Sequence, residues 1–461
     1  MKPIFMAVVI IWMMGGSLAQ PGAAAQPDPA LDAQTVLTLA SARQIALANS
    51  PTIKAAQARI AQARQRVRQA SAAYWPFLDL NVSARQVKLS DNQYQTNLTT
   101  ARYVNPQAMI EDPQDYYRGG LAASWLLFNG FERKFVQAAA RYGEKETQAA
   151  FDDAMRLLLA AVAEAYYNAQ LARLDIMIAE ADEAFFQRQL ADARARRNMG
   201  AGSLSDQMNF EIQINTAQTA LLEKRRVYDV ALYGLAALMG LTDASLPAGM
   251  KLARLADKSD QDIQAVDAST CIEYARQHRP DLKLQDFRVQ RAEAEVGAAR
   301  AKYYPSINLA ADLAGDRSGS AAIDQDDFGY TVGLYLTYNI FAGGAHQAAV
   351  AEARAAQREN QQTLQDREIQ VVSDVRRAVR LIQSAQQQLP LQRASAQLAE
   401  RNRDLVEKEY AAGQTSLVRL NEAQRDLTAA QSRLALALVG LRLAWQQLQA
   451  ATAEILKVTG E

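Results

Sequence analysis

The chain has 461 residues, 49% hydrophobic and 22% charged, a balance that excludes disorder as its main state. Lys plus Arg and Asp plus Glu number 50 each, and the two histidines add little, so there is no net basic field to recruit nucleic acid.

Lys2 precedes the apolar run IFMAVVIIWMM and the small-residue exit GGSLAQ, which predicts a secretory signal peptide over 1–19 cut after Ala19. The apolar run is shorter than the about 20 residues of a spanning helix. No cysteine lies near the cut, so acylation is not indicated. Residues 20–35 are rich in Pro, Ala and Gln without periodicity and predict a flexible mature N-terminus.

From residue 36 onward the chain is written twice. Pro51, Lys54, Arg59, Tyr74 and Pro76 fall on Pro280, Lys283, Arg288, Tyr303 and Pro305 at an offset of 229. Further along, GLAASWLLFNG (120–130) matches GLYLTYNIFAG (333–343) at an offset of 213. The difference lies between the two strands of each half, where loops tolerate changes in length. The chain therefore divides into a first repeat at 36–241, a linker at 242–266, a second repeat at 267–455 and a tail at 456–461. Cys271, the only cysteine, falls on Ala42 and reads as a small apolar residue; an intramolecular disulfide is excluded.

Each half reads as helix, strand, strand, long helix, helix. Strands are predicted near 77–86, 119–128, 306–314 and 330–340. Leu78, Leu80 and Val82 alternate with Asp79, Asn81 and Ser83; Ile307, Leu309, Ala311 and Leu313 alternate with Asn308 and Asp312. Period two gives one apolar and one polar face. An ordinary half-buried sheet has the same alternation. Export, strand lengths near the 9–11 residues of a membrane strand, and aromatics at the strand ends (Tyr74, Trp75, Trp125, Tyr303, Tyr304, Tyr338) favour an outer-membrane barrel instead. Four strands cannot close a barrel, so copies must combine: two chains supply eight strands and three supply twelve.

About 70 residues separate Gly130 from Gly200 and Gly343 from Gly413, enough for helices on the order of 100 Å long. Leu420, Ala423, Leu427, Ala430, Leu434, Ala437, Leu441, Ala444 and Leu448 form an unbroken heptad, which predicts a coiled-coil seam. Phe210, Ile214, Ala217 and Leu221 repeat it less strictly, and Val371, Val375, Ala378 and Ile382 offer a facing stripe. Pro390, Pro247 and Gly249 predict irregular places around the helices. His278 precedes Pro280 and reads as a helix C-terminal cap; neither it nor His346 has neighbours at metal-ligand spacing, and no nucleophile or phosphate motif marks an enzyme.

The duplicated SPTIKAAQARI and RPDLKLQDFRV, the YWP and YYP before the strands, LLFNGFERK and NIFAGGAHQ after them, and YAAGQTSLVRLNEAQ at the helix turn together resemble the TolC-like outer membrane efflux protein family, or outer membrane factors. The resemblance covers essentially the whole mature sequence. It implies a mainly α protein with a β-barrel part. A homotrimer would place a twelve-stranded barrel in the outer membrane of a Gram-negative bacterium and a helical coiled-coil tunnel in the periplasm. It implies a passive channel for efflux or type I secretion, without cofactors or catalysis. The implied partners are a periplasmic adaptor (membrane fusion) protein, an inner-membrane RND, ABC or MFS transporter, and outer-membrane lipid.

By the same resemblance, the turns at Gly200, Gly202, Ser203 and Leu204 and at Gly413, Thr415, Ser416 and Leu417 are the adaptor-facing tips. Tyr410 and Asp206 occupy the positions of a polar link that keeps the periplasmic mouth shut. Glu422 takes one pore-carboxylate position. Arg419 stands at the other, where an acid is expected, and Thr415 replaces an Arg of a second link. Rings of Arg419 and Glu422 would pair within the helix and weaken cation selectivity. Cargo is not legible, because the pump chooses it. A non-conducting exported coiled-coil protein would share the signal and heptads, but has no need of strand pairs at matching places in each half.

Overall fold

A computed structural model describes residues 36–247, 249–255 and 265–459. The signal segment 1–19, the arm at 20–35, part of the linker and the last two residues lie outside the described residues.

The first half opens with a two-residue strand β1 (Val36–Leu37) and helix α1 (Leu39–Asn49), whose N-terminus is closed by a reciprocal Thr38–Ser41 capping box. Helix α2 (Pro51–Ala72) starts on a proline, whose missing N–H is not needed at a first turn. Strand β2 (Phe77–Val87), helix α3 (Asp91–Val104) and strand β3 (Gln114–Asn129) lead into α4 (Glu132–Asn198) and α5 (Leu204–Leu238). After β4 (Lys251–Leu252), the second half gives α6 (Ala268–His278), α7 (Pro280–Ala301), β5 (Ser306–Ser318), β6 (Phe328–Thr337), α8 (Ala345–Ala411) and α9 (Leu417–Thr452).

α4 and α8 have 67 residues each, about 100 Å at 1.5 Å per residue. α4 is the spine: α5 and α2 from its own half pack on it, and so do α7 and α9 from the other half. The core is divided into clusters. One cluster joins Val371, Val375, Ala378 and Ile382 of α8 to Ala444 and Leu448 of α9; a second joins Val162 and Tyr166 of α4 to α1, Leu235 and Leu252.

Three sequence expectations change. The heptad does not stay in one seam: Leu434 and Ala437 are only half-buried, and Ala435 and Val439 are buried in their place. A helix with 3.6 residues per turn drifts by about 20° per heptad from a 3.5-residue stripe. α9 also changes neighbours here, from the cluster of Leu420 and Ala423 to that of Ala444 and Leu448. Pro390 does not interrupt α8, which runs through it. A proline removes one ladder bond, and flanking packing, including buried Leu389, holds the helix through that turn. The last strand stops at Thr337, short of residue 340, because its neighbour β5 starts at Ser306, opposite Thr337, and offers nothing beyond.

The four long strands form one antiparallel sheet in the order β2-β3-β5-β6, so β3 and β5 join the two halves and β2 and β6 are open edges. One face carries Leu78, Leu80 and Val82, then Leu121, Leu313, Tyr330 and Val332. The other carries Asp79, Asn81, Arg118, Asp312 and Asp316. A bulge between Leu126 and Phe128 shifts the register where β3 leaves the sheet. α3, which lies in the longer first-half loop, was not foreseen. Its Ser90 cap accepts from Gln93 N–H and sits in a stretch of polar residues without a clear apolar period.

Candidate functional site

The two helical hairpins turn at the end remote from the sheet, and both long helices close in the same way. α4 ends with Gly200 in the left-handed region (φ 79°), with Gly200 N–H donating to Arg197 O and Ala201 N–H to Arg196 O. α8 ends with Gly413 at φ 71°, with Gly413 N–H donating to Tyr410 O and Gln414 N–H to Glu409 O. Both are Schellman closures, which need a residue that enters positive φ without strain. Three residues later, a serine starts each return helix. Ser203 Oγ accepts from Ser205 N–H at 3.1 Å and Ser416 Oγ from Arg419 N–H at 3.4 Å.

The side chains differ. The α4–α5 turn is tied by charge, Arg194 to Glu211 at 2.9 Å and Arg197 to Gln207 at 2.9 Å. Leu204 is exposed there, whereas Leu417 packs inward against the cluster of Phe185, Phe186, Phe210, Val406 and Leu420.

That cluster lies between the hairpins, and polar contacts cross beside it. Tyr410 Oη donates to Asp206 Oδ2 at 3.0 Å. Burial, and then the hydrogen bond to the Asp206 carboxylate, push the Tyr410 phenol up to about 12. Its ring meets Phe210 edge-on at 6.3 Å and lies under the Arg196 guanidinium at 5.4 Å. Three crossings were not anticipated: Asn421 Nδ2 to Asn209 Oδ1 at 2.9 Å, Gln189 Nε2 to Glu407 Oε1 at 2.6 Å, and Gln424 Nε2 to Asp182 Oδ1 at 2.7 Å. A polar residue on a long amphipathic helix gives no sign of being a contact until the partner helix is known. The only available hint was Asn421 and Gln424 flanking the apolar Ala423.

Thus Tyr410 and Asp206 are brought together. Arg419 and Glu422 approach each other at 3.8 Å, one turn apart on α9, with more than half of each side chain exposed. Thr415 stands in the turn immediately before the Ser416 cap. The remaining tip residues, Gly200, Gly202, Ser203, Leu204, Gly413, Ser416 and Leu417, cluster at the two turns. Among the described residues, no group of three or more His, Cys, Asp or Glu could hold a metal ion.

A profile of outer membrane efflux proteins matches residues 42–241 and 271–454, one segment for each half of this fold. The chain belongs to the outer membrane efflux protein family. It is 28% identical to the pyoverdine export outer membrane protein OpmQ of Pseudomonas aeruginosa over 410 residues, which span 88% of this chain and 82% of that protein. It is 25% identical to the protein CyaE of Bordetella pertussis, covering 93% and 86%. Among solved structures, it superposes on the outer membrane protein VceC of Vibrio cholerae with a TM-score of 0.75 at 19% identity, covering 90% and 95%. The open state of the MtrE outer membrane channel of Neisseria gonorrhoeae gives 0.73 at 19% identity, covering 93% of each chain. This efflux family member is an outer-membrane component of an export system.

Proposed function

We propose that three copies of the chain close a twelve-stranded barrel across the outer membrane, and that their long helices form a periplasmic tunnel ending at the hairpin tips. The observation that carries this reading is the sheet. Both edges are open, and its apolar face is bare: Leu78 and Val82 are 70% and 76% exposed, and Val332 and Leu336 64% and 66%. Lipid covers such a face, while each unpaired edge group facing lipid costs several kcal/mol. Only closure with further copies satisfies both conditions.

In this reading the Tyr410–Asp206 bond is a latch on the periplasmic mouth, Glu422 lines the constriction, and Arg419 beside it moderates cation preference. The tips from Gly200 to Leu204 and from Gly413 to Leu417 receive a periplasmic adaptor, which joins the channel to an RND, ABC or MFS transporter in the inner membrane. Relatives named for pyoverdine export and for alkaline protease secretion align with 88% and 74% of this chain, which supports a passive path whose cargo is chosen by the pump.

Single-channel conductance of the detergent-extracted protein in a planar bilayer tests the reading. The expected result is discrete, stable current steps, with a changed ion preference in Glu422→Ala. Well-folded protein that never inserts would overturn the channel; unchanged selectivity in the variant would remove Glu422 from the lumen.

A further inference from the structure

The duplication means that the chain already contains a worked example of how one half meets the next. Strand β3 of the first half pairs with β5 of the second, and α4 packs on α7. The open edges are the equivalents of these elements: β6 repeats β3, and β2 repeats β5. We infer that the next copy docks by repeating the internal junction. This fixes the register between copies as Thr337 opposite Asn81, Tyr338 opposite Leu80 and Phe341 opposite Leu78. The inference rests on the closed-barrel reading and goes beyond it by naming which residues meet.

The register follows from the two sequence offsets. Inside the chain Ser124 faces Ala310, Trp125 faces Leu309 and Phe128 faces Ile307. Adding 213 to the first member and subtracting 229 from the second gives the three pairs above. The bulge before Phe128 maps onto Ile340, and the unpaired stretch after Thr337 becomes the continuation of β6 on its new neighbour.

Three features of the structure agree with the mapping. First, the apolar side chains it brings together are bare in the isolated chain: Tyr338 is 54% and Phe341 85% exposed, against 66% for Leu80 and 70% for Leu78. Second, the mapped helix contact is charge-complementary. Within the chain, Arg288 of α7 holds Glu146 of α4 at 2.7 Å. The equivalent residues are Arg59 on α2 and Glu359 on α8, both exposed, so the same pairing is available between copies.

Third, the sizes are exchanged rather than duplicated. Gly297 of α7 lies so close to Phe135 of α4 that an added Cβ would sit 2.3 Å from its ring. The equivalents are Arg68 and Ala348, both exposed, which puts the large residue on the other helix and a small one opposite it. A junction with two large residues would be overpacked, and one with two small residues would leave a void. The mapped junction avoids both.

The test is disulfide mapping in a Cys271→Ser background, after native mass spectrometry has established the oligomeric state of each variant. Facing residues on antiparallel strands have Cα atoms about 4.5–5.5 Å apart, within disulfide reach, and a two-residue slip moves one partner about 7 Å along the strand. On oxidation, Asn81→Cys/Thr337→Cys is expected to give a ladder of covalently linked chains, and Ser83→Cys/Thr337→Cys none. An oligomer that links through Ser83, or through neither pair, overturns the register and leaves the closed-barrel reading standing. Folded protein that stays monomeric in detergent overturns both.

A charge-swap experiment does not depend on strand chemistry. Glu359→Arg and Arg59→Glu should each lower the temperature at which the oligomer dissociates, and the double variant should recover most of that loss. Losses that merely add in the double variant would show that these two residues do not meet.

Discussion

At the ends of α4 and α8 the backbone makes one turn twice, on Gly200 and Gly413, with Ser203 and Ser416 starting the return. The side chains around those turns do not repeat. At an offset of 213, Tyr410 stands where the first half has Arg197, and Arg419 where it has Asp206. Duplication preserved the residues that the turn needs and released the others, so that each half now supplies a different member of a contact. The bond from Tyr410 to Asp206 joins one half to the other and cannot be made by identical tips.

The largest test of that divergence is at the start of α7. Arg279 falls on Ser50, and both are buried. Arg279 pairs with Asp281 at 2.7 Å and Asp374 at 3.2 Å and donates to Ala451 O at 3.3 Å, tying α7 to the last turn of α9. Ser50 makes no side-chain capping bond. Arg279→Ala should cost about 2–4 kcal/mol by leaving the partly buried Asp281 carboxylate without its cation, and Ser50→Ala less than about 1 kcal/mol, both read by thermal unfolding.

The pH dependence follows from the same pair. Burial alone would raise the Asp281 carboxyl, but its bond and charge contact with Arg279 outweigh this and hold it below its ordinary value. A depressed carboxylate contributes fully above its unfolded pKa of about 4 and loses that contribution as pH falls through the lower folded value. Wild type should therefore lose stability on acidification below about pH 4 more steeply than Arg279→Ala.

A middle-sized effect separates the tips themselves. Gly202 is equivalent to Thr415, yet a Cβ on Gly202 would lie 2.6 Å from the backbone nitrogen of Arg197. Gly202→Ala should lower stability by roughly 1–3 kcal/mol, because the obstacle is main chain and the turn must open. Thr415→Ala should stay within about 0.5 kcal/mol. Equal effects in calorimetry would mean that the two turns are interchangeable after all.

The turns and strands were legible because their signals are local. A glycine and a serine three residues apart, or alternating Leu and Asp, mean much the same wherever they fall. The two-half architecture was legible because it is written twice. The heptad misled at Leu434 because a stripe records which residues are apolar, whereas burial depends on which neighbour α9 meets at that height. Pro390 misled in the same way, since flanking packing outweighed a local penalty. Asn421, Gln189 and Gln424 were invisible because each is a half of a contact whose other half lies more than 200 residues away.

The most specific test removes a single hydroxyl. Tyr410→Phe keeps the ring that meets Phe210 and Arg196 and removes only the hydroxyl that reaches Asp206. A single hydrogen bond of this kind contributes about 1–2 kcal/mol, so the variant should fold and assemble while its conductance at neutral pH rises above wild type. The phenol is raised from an ordinary value of about 10. A group with a raised folded pKa contributes below its unfolded value and loses that contribution as pH rises through the folded one. The wild-type latch should therefore hold to about pH 10 and weaken as pH approaches about 12. Conductance measured across that range should climb in wild type and show no such step in Tyr410→Phe. A wild-type channel whose alkaline profile matched the variant's would show that this bond, though present between the hairpins, does not hold the mouth.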